Sequence, residues 1–458
     1  MSTLWSGRFD AAPDAATLEW GSSFGFDRRL FEDDVTGSLA WARALARAGV
    51  LSDGEAAAIA AALTRVLEYG RSDPSSVTGP DEDVHSFVER LLVQELGDAG
   101  KRLHTGRSRN EQVSVDLRLY LRRRIPILQG AVAKVVGALA RQARSAGDAL
   151  MPSFTHFRPA QPVLVAHFLM AHAAPLRRDH QRLAAARGEA DALPLGSGAI
   201  AGTSYAVDVD ALARDLGFSH IVPNSIDASS DRDFALSFLY ACALTMVHLS
   251  RLAEDFIIFC GDEHRFFELS DALSTGSSMM PQKKNPDPLE LVRGKTGRAI
   301  GHLMAMLTTI KGLPTGYNKD LQEDKQAVFD AEDTLIGCLT VVESVVNGVS
   351  LNRARAEAAA SGLLLATDVA DYLVGRGVPF RTAHEIVGAI VRKLVAEQRE
   401  FGSLTPAEWH AASDRFGDDI VGRVTPRMSV GAKRTPQSTS PEAVGAQLAE
   451  LEQWLERC

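Results

Sequence analysis

Cysteine is scarce in this chain. There are four in 458 residues, Cys242, Cys260, Cys338 and Cys458, and none stands in a CxxC or other metal-ligand spacing. That excludes a disulfide framework and a thiolate zinc site, and it fits a reducing, cytoplasmic compartment, where a free cysteine in an apolar stretch behaves as a small buried hydrophobe. Long apolar runs are missing as well. No uninterrupted stretch approaches the roughly 18 residues of a spanning helix, so no membrane segment is expected. The first residues lack the charged-then-apolar order of a secretion signal. Positive charge is in deficit, 49 Lys and Arg against 58 Asp and Glu, for a net charge of −9. A general affinity for nucleic acid or acidic membranes is disfavoured, although a small polyanionic substrate still needs a local basic pocket. There is no P-loop, HExxH or Cys/His cluster. The run Gly196-Ser197-Gly198-Ala199-Ile200-Ala201-Gly202 has the wrong spacing for a dinucleotide loop and no strand before it. Neither an organic cofactor nor a metal is expected.

Proline is absent from residues 224–280 and 315–378. Interior proline breaks helices, so both intervals have room for very long ones. Leu236, Leu239, Tyr240, Leu244, Met246, Val247, Leu249 and Leu252 recur at helical spacing, and residues 234–249 are apolar nearly all round. That is the mark of a helix buried on several sides. A helix of about 30 residues spans about 45 Å, more than one small core requires, so an extended bundle that subunits can share is expected. Strand signals are nearly absent, and the expected class is all-α. Length suggests about three domains: an N-terminal helical domain over 1–109, a central long-helix bundle over 110–350 and a C-terminal helical domain over 351–458. Shorter helices are expected at 40–51, 54–68 (entered by Asp53 as N-cap), 366–373 and 381–397, with a turn-rich tail over 402–441.

The chemistry concentrates in Gly276-Ser277-Ser278-Met279-Met280-Pro281-Gln282-Lys283-Lys284-Asn285-Pro286. Gly276 tolerates φ > 0 and can start a mobile lid. Ser277 is the first hydroxyl after it, Pro281 stiffens the second half of the loop, and Lys283 and Asn285 offer donors to an anion. Chemistry that builds negative charge on an oxygen-rich substrate needs donors aimed where that charge appears. A bare Gly-Ser-Ser loop is far more often a surface loop; the complete string is more specific. His156, in Thr155-His156-Phe157-Arg158-Pro159-Ala160-Gln161-Pro162, titrates near neutrality, although an isolated histidine is more often structural. Arg109 has the forked donors that suit a carboxylate.

The full string resembles the signature loop of the fumarase/aspartase superfamily, in the form found in its argininosuccinate lyase branch. Further blocks appear in the family's order: Leu4-Trp5-Ser6-Gly7-Arg8-Phe9, Asp81-Glu82-Asp83-Val84-His85, His104-Thr105-Gly106-Arg107-Ser108-Arg109-Asn110-Glu111-Gln112, Leu193-Pro194-Leu195-Gly196-Ser197-Gly198 and Tyr317-Asn318-Lys319-Asp320-Leu321-Gln322-Glu323-Asp324-Lys325. The resemblance implies elimination of argininosuccinate to arginine and fumarate through a stabilised carbanion. It implies Ser277 as proton-abstracting base, Lys283 and Asn285 as stabilisers, and His156, oriented by Glu290, on the acid side; the residues alone permit the reverse assignment of Ser277 and His156. It implies that Ser108, Arg109 and Asn110, with Thr155, hold the succinyl half. Ser23, Asp27, His85, Tyr317, Gln322 and Lys325 complete the binding set. It also implies a homotetramer, with active sites assembled from three subunits.

One departure stands out. The family loop reads Thr-His-x-Gln-x-Ala-Gln-Pro, whereas this chain has Arg158 at the Gln position and Pro159 after it. Beside the succinyl site that the resemblance implies, Arg158 adds a cation that either binds a carboxylate bidentately or points away from it. It keeps open a fumarate-releasing lyase with a different amine. A non-catalytic relative, like the crystallins that share this fold, is a third reading, opposed by the intact Ser277, His156 and Lys283.

Overall fold

Each proline-free interval carries a long helix in the computed structural model, which describes residues 14–458; the block at residues 4–9 lies outside them. Asp233–Cys260 occupies 28 residues of the first interval and Asp324–Gly348 occupies 25 of the second. Three further long helices, Arg109–Ala146, Val165–Glu189 and Asp287–Ile310, run for 38, 25 and 24 residues. Pro126 and Pro175 lie inside the first two of these. A helix this long absorbs the one backbone hydrogen bond that each proline removes, so the proline map understated the helix content. Strands among the described residues occur only as short two-stranded pairs, and the protein is all-α.

Asp233–Cys260 is the one single helix among the described residues whose length and hydropathy would let it cross a membrane, although 56% of its most apolar stretch is buried inside the fold. It reaches that hydropathy with Ser and Thr interspersed, which is why no unbroken apolar run marks it. The four cysteines are free, Cys242 and Cys338 being buried.

Two compact units divide the chain. One comprises Met1–Gln129, Arg182–Ala243 and Arg298–Thr334. Its helices Phe31–Arg47, Asp53–Ser72 and Val84–Leu96 pack together over Trp41, Leu45, Ile59, Leu63, Phe87 and Leu92. The second of these is capped by Ser52, not Asp53. The Ser52 hydroxyl accepts from the Glu55 N–H while the Glu55 carboxylate returns to the Ser52 N–H, a reciprocal pairing that satisfies two orphan donors.

The other unit comprises Gly130–Gln181, Leu244–Gly297 and Leu335–Cys458. Its C-terminal core gathers Val369, Leu373, Val387, Leu394, Phe401, Trp409 and Phe416. The expected helices appear there as Ala366–Gly375 and Phe380–Glu397. The tail is less irregular than its turn residues suggest: Pro406–Ala412 and Pro426–Gly431 are short helices, each with proline at its first turn, and Pro441–Leu455 closes the chain. A hairpin in this unit, unforeseen from the sequence, joins Leu150–Thr155 to Arg158–Leu164.

Candidate active site

In the first unit most of the expected binding residues converge. The Ser23 hydroxyl donates to Asp27, whose other oxygen accepts the Val84 N–H at 3.0 Å. The Glu82 carbonyl accepts from the Ser23 and Phe24 N–H groups at 2.8 and 3.1 Å. An N-terminal turn is thus locked onto the acidic block that precedes His85. Asp83 caps the Val84–Leu96 helix by accepting the Ser86 N–H at 2.7 Å, which sets His85 in the first turn, buried. Burial raises the Asp27 carboxyl above its ordinary value, against the pull of His85.

Arg109 opens the Arg109–Ala146 helix. It donates to Gln112 at 3.0 Å and lies 3.6 Å from Asp83 and 3.7 Å from Glu89. Asn110 donates to the Ala199 carbonyl at 3.3 Å, and the Ser108 hydroxyl accepts the Asn110 N–H. Glu111, to which the sequence pattern assigned no role, ties these blocks together. One oxygen accepts from Ser108 N–H at 3.1 Å and the other from Gly196 and Gly198 N–H at 2.7 and 3.0 Å. The Ser-x-x-Glu spacing of a helix start was the available signal.

The Tyr317–Lys325 run is not the solvated turn its charges suggest. Lys325 is buried and donates to Asp324 at 2.9 Å, and the other Asp324 oxygen takes Arg232 at 2.5 Å. Gln322 donates to the Gly21 carbonyl at 3.2 Å. Tyr317 is raised above its ordinary value, by burial first, with Asp324, Asp83 and Glu82 close enough to act on it. A concavity of about 760 Å³ in this unit, around Arg28, Arg29, Arg71, Tyr120 and Arg123, contains none of the expected residues. Arg29, Arg71 and Arg123 there are already paired with Asp333, Glu32 and Asp33.

Asp34, His85 and Asp116 bring three side chains that could ligate a cation within 4.8 Å of one another. The sequence hid this group, because two of the three are acids within helices. Gln112 donates to the same Asp34 oxygen as His85, and Arg107 and Arg109 act on that carboxylate. Donors and cations already face it, so a proton suits the site better than a metal.

In the second unit the expected catalytic residues sit on a hairpin tip, on a loop and at the start of a helix. His156 and Phe157 form the two-residue tip of the hairpin, where Thr155 pairs with Arg158. Both have positive φ, 54° and 56°. That conformation suits a tight hairpin turn but costs roughly 1–2 kcal/mol per non-glycine residue. Such strain is found where a side chain must be aimed. Pro152 faces Pro162, and the Ser153 hydroxyl spans the register shift, donating to the Gln161 carbonyl at 2.8 Å and accepting its N–H at 3.2 Å. Proline is tolerated here because the pair has only edge strands.

Residues 277–283 form a loop between two short paired strands, Thr275–Gly276 and Lys284–Asn285. Gly276 is therefore a strand residue outside the left-handed region, not a relaxed hinge. The Ser277 oxygen accepts backbone N–H groups from Met279 at 3.3 Å and Met280 at 3.0 Å. Donors to that oxygen favour its ionised form. Lys283 is exposed, and Glu290 lies in the first turn of Asp287–Ile310. Among the described residues, no hydrogen bond or ion pair within the chain joins Ser277, His156, Lys283 and Glu290 to one another.

Residues 7–301 match the lyase family and residues 363–431 match the argininosuccinate lyase C-terminal family. A solved EDDS lyase in complex with formate superposes with a TM-score of 0.85 at 27% identity, covering 96% of this chain and 89% of that one. A class II fumarase from Schistosoma mansoni superposes with a TM-score of 0.75 at 15% identity, covering 89% and 91%, and shares the fold. The protein is a lyase with the fumarase/aspartase fold. The argininosuccinate lyase of Roseiflexus sp. (strain RS-1) is 49% identical over 455 residues, 99% of this chain and 100% of the relative. That of Moorella thermoacetica (strain ATCC 39073 / JCM 9320) is 47% identical over 446 residues, 96% of each. The chain belongs to the argininosuccinate lyase family.

Proposed function

We propose that this enzyme cleaves argininosuccinate to arginine and fumarate in the cytoplasm. Ser277 takes the Cβ proton, and the electron pair left behind delocalises into the adjacent carboxylate. Lys283 and Asn285 stabilise that charge; without fixed donors the intermediate is too costly to form. The pair then forms the C=C bond of fumarate as the Cα–N bond breaks, and the departing nitrogen is protonated from the His156 side, with Glu290 orienting the ring. Arg109, Ser108, Asn110 and Thr155 hold the succinyl half; Ser23, Asp27, His85, Tyr317, Gln322 and Lys325 complete the pocket. The observation that carries this reading is near-full-length similarity to argininosuccinate lyases together with the Ser277 oxygen's two backbone donors.

The active form in this reading is a homotetramer, each site taking blocks from three subunits and Glu290 meeting His156 between copies. Supporting it, Leu291, Ile300, Met304 and Leu307 are exposed along one helix, Asp287–Ile310. Gly294, Gly297 and Gly301 of that helix have no atom within 4 Å of where a Cβ would sit. Such a surface lets another helix approach closely. The three-part division at 109/110 and 350/351 belongs to the same reading, and the separate C-terminal match over 363–431 supports it.

Fumarate release, monitored by ultraviolet absorbance, from argininosuccinate, adenylosuccinate, malate and aspartate in parallel tests the substrate. Turnover of argininosuccinate alone, abolished in Ser277→Ala, is expected. Turnover of another substrate, or none from a folded tetramer, would overturn the reading.

A further inference from the structure

His85 is held from behind by two carboxylates that are not equivalent. Its Nδ1 lies 2.7 Å from Asp34 Oδ1 and 3.3 Å from Asp116 Oδ2, and its Nε2 is buried with no partner. Asp34 Oδ1 also accepts from the Gln112 side chain. Asp116 is fully buried on the Arg109–Ala146 helix, and neither of its oxygens receives a hydrogen bond. Asp34 Oδ2, buried, is unpartnered too.

An ionised carboxylate deprived of water and of every donor is costly, and a buried pair of acids avoids that cost by sharing one proton. The donors decide which acid keeps the charge. Asp34 has His85 and Gln112; Asp116 has none. We infer that Asp34 is the carboxylate that fixes the hydrogen on His85 Nδ1, that Asp116 is its neutral neighbour and donates its own hydrogen to Asp34, and that the pair thereby holds Nε2 as the nitrogen left for substrate. Carboxylate-oriented histidines elsewhere work this way: the bond at one nitrogen sets the tautomer and the aim of the other. Both are positioning residues, since they act through His85.

Two further observations agree. Burial drives the Asp116 carboxyl well above its ordinary value, and the Asp34 charge and hydrogen bond push it the same way. For Asp34, burial acts upward, but His85, its hydrogen bond and the Arg107 and Arg109 cations win and hold it well below the usual range. The other charges facing the ring are Asp27 and Asp83 on its N-terminal side, with Lys325 acting on Asp27. Asp34, His85, Arg107 and Arg109 also line one cavity of about 10 Å³, the size of a single water.

The inference rests on the proposed reaction for its kinetic arm, and a second arm is independent of it. Asp116→Asn keeps a neutral donor to Asp34 and should lower kcat by less than Asp34→Asn does. Asp34→Asn removes the charge and should lower kcat by about 10- to 100-fold with KM changed less than threefold, a loss comparable to one charge-assisted hydrogen bond. In a His85→Asn background, Asp34→Asn should have no further effect. Equal losses in the two aspartate variants, or an effect of Asp34→Asn that persists without the imidazole, would overturn the assignment. Infrared difference spectra of the tetramer at neutral pH, wild type minus Asp116→Asn, should show the C=O stretch of a protonated carboxylic acid. If wild type releases no fumarate from argininosuccinate, the reaction assignment fails and this band still decides the protonation; its absence would sink the inference alone.

Discussion

Glu111 and Gly198 are joined by a 3.0 Å hydrogen bond from the glycine N–H to a carboxylate that is fully buried. The same side chain holds Ser108 and Gly196, so one acid fixes the Gly196–Gly198 turn against the start of the Arg109–Ala146 helix. Gly198 cannot be replaced freely: its φ is +58°, and a Cβ there would fall 2.6 Å from the Gly202 carbonyl oxygen. Burial pushes Glu111 up to about 7, although its three backbone donors and Arg107 oppose the rise. A carboxyl raised in the folded state contributes stability that is full below its unfolded value of 4.5 and is lost as pH rises through about 7. Glu111→Gln removes that dependence while sacrificing one acceptor. The variant should be the less stable protein near pH 5 and gain on wild type by up to roughly 3 kcal/mol towards pH 8, at about 1.4 kcal/mol per pH unit. Urea denaturation of both proteins across that range checks it; a gap that stays constant with pH would contradict the assignment.

Asp324 has the opposite sign. Burial raises it, but Lys325 and Arg232 outweigh burial and leave it below the usual carboxylate range. Its stabilisation is present above the unfolded value and is lost as pH falls through the folded one. Asp324→Asn leaves two buried cations without their counter-charge, a change that typically costs about 3–5 kcal/mol. The difference in unfolding free energy from wild type should be of that size at neutral pH and should narrow on acidification. A loss under about 1 kcal/mol would mean that water reaches Lys325 and Arg232.

Glu111 and Asp324 both gain their importance from burial, which a linear sequence does not display. The long helices were legible because Ala, Leu and apolar periodicity act locally and proline interrupts them locally. His85, Arg109, Gln322 and Lys325 stood out in motif strings, Ser23 and Asp27 only through the resemblance, and the first unit holds all six. Asp34 and Asp116 did not stand out, and Asp324 did so only as one charge of the Tyr317–Lys325 run, because an acid on a helix looks the same in sequence whether it faces water or a buried cation; only tertiary burial separates the two. The hairpin carrying His156 was hidden for another reason. Pro152, Pro159 and Pro162 make its strands look like loop, and its tip uses His156 and Phe157 where glycine or asparagine would normally announce such a turn. Gly276 misled in the other direction, since its conformational freedom is not used.

Ser277 owes its proposed basicity to the backbone, which a single substitution can test. Met280→Pro deletes the N–H that lies 3.0 Å from the Ser277 oxygen and leaves the hydroxyl in place. A hydrogen bond to a developing charge contributes about 1.5–3 kcal/mol, so kcat should fall by roughly 10- to 100-fold. The melting temperature should hold, because residues 277–283 are mostly exposed. Full activity in Met280→Pro, alongside an inactive Ser277→Ala, would show that the donor is dispensable.

Arg158 stands beside the hairpin tip, opposite Thr155 in the strand register and two residues after His156. Arg158 is exposed, and among the described residues no hydrogen bond or ion pair within the chain engages its guanidinium. The side chain is therefore free to meet a carboxylate, and the fork of donors fits one bidentately. If it contacts the succinyl group equally in the ground and transition states, Arg158→Gln should raise KM for argininosuccinate by about tenfold, equivalent to about 1.4 kcal/mol, with kcat within about threefold of wild type. An unchanged melting temperature should accompany it, since removing an exposed, unpaired cation disturbs no packing. If KM and kcat both stay at wild-type values, Arg158 points away from substrate; if kcat falls while KM holds, it acts on the transition state through His156 and not on binding.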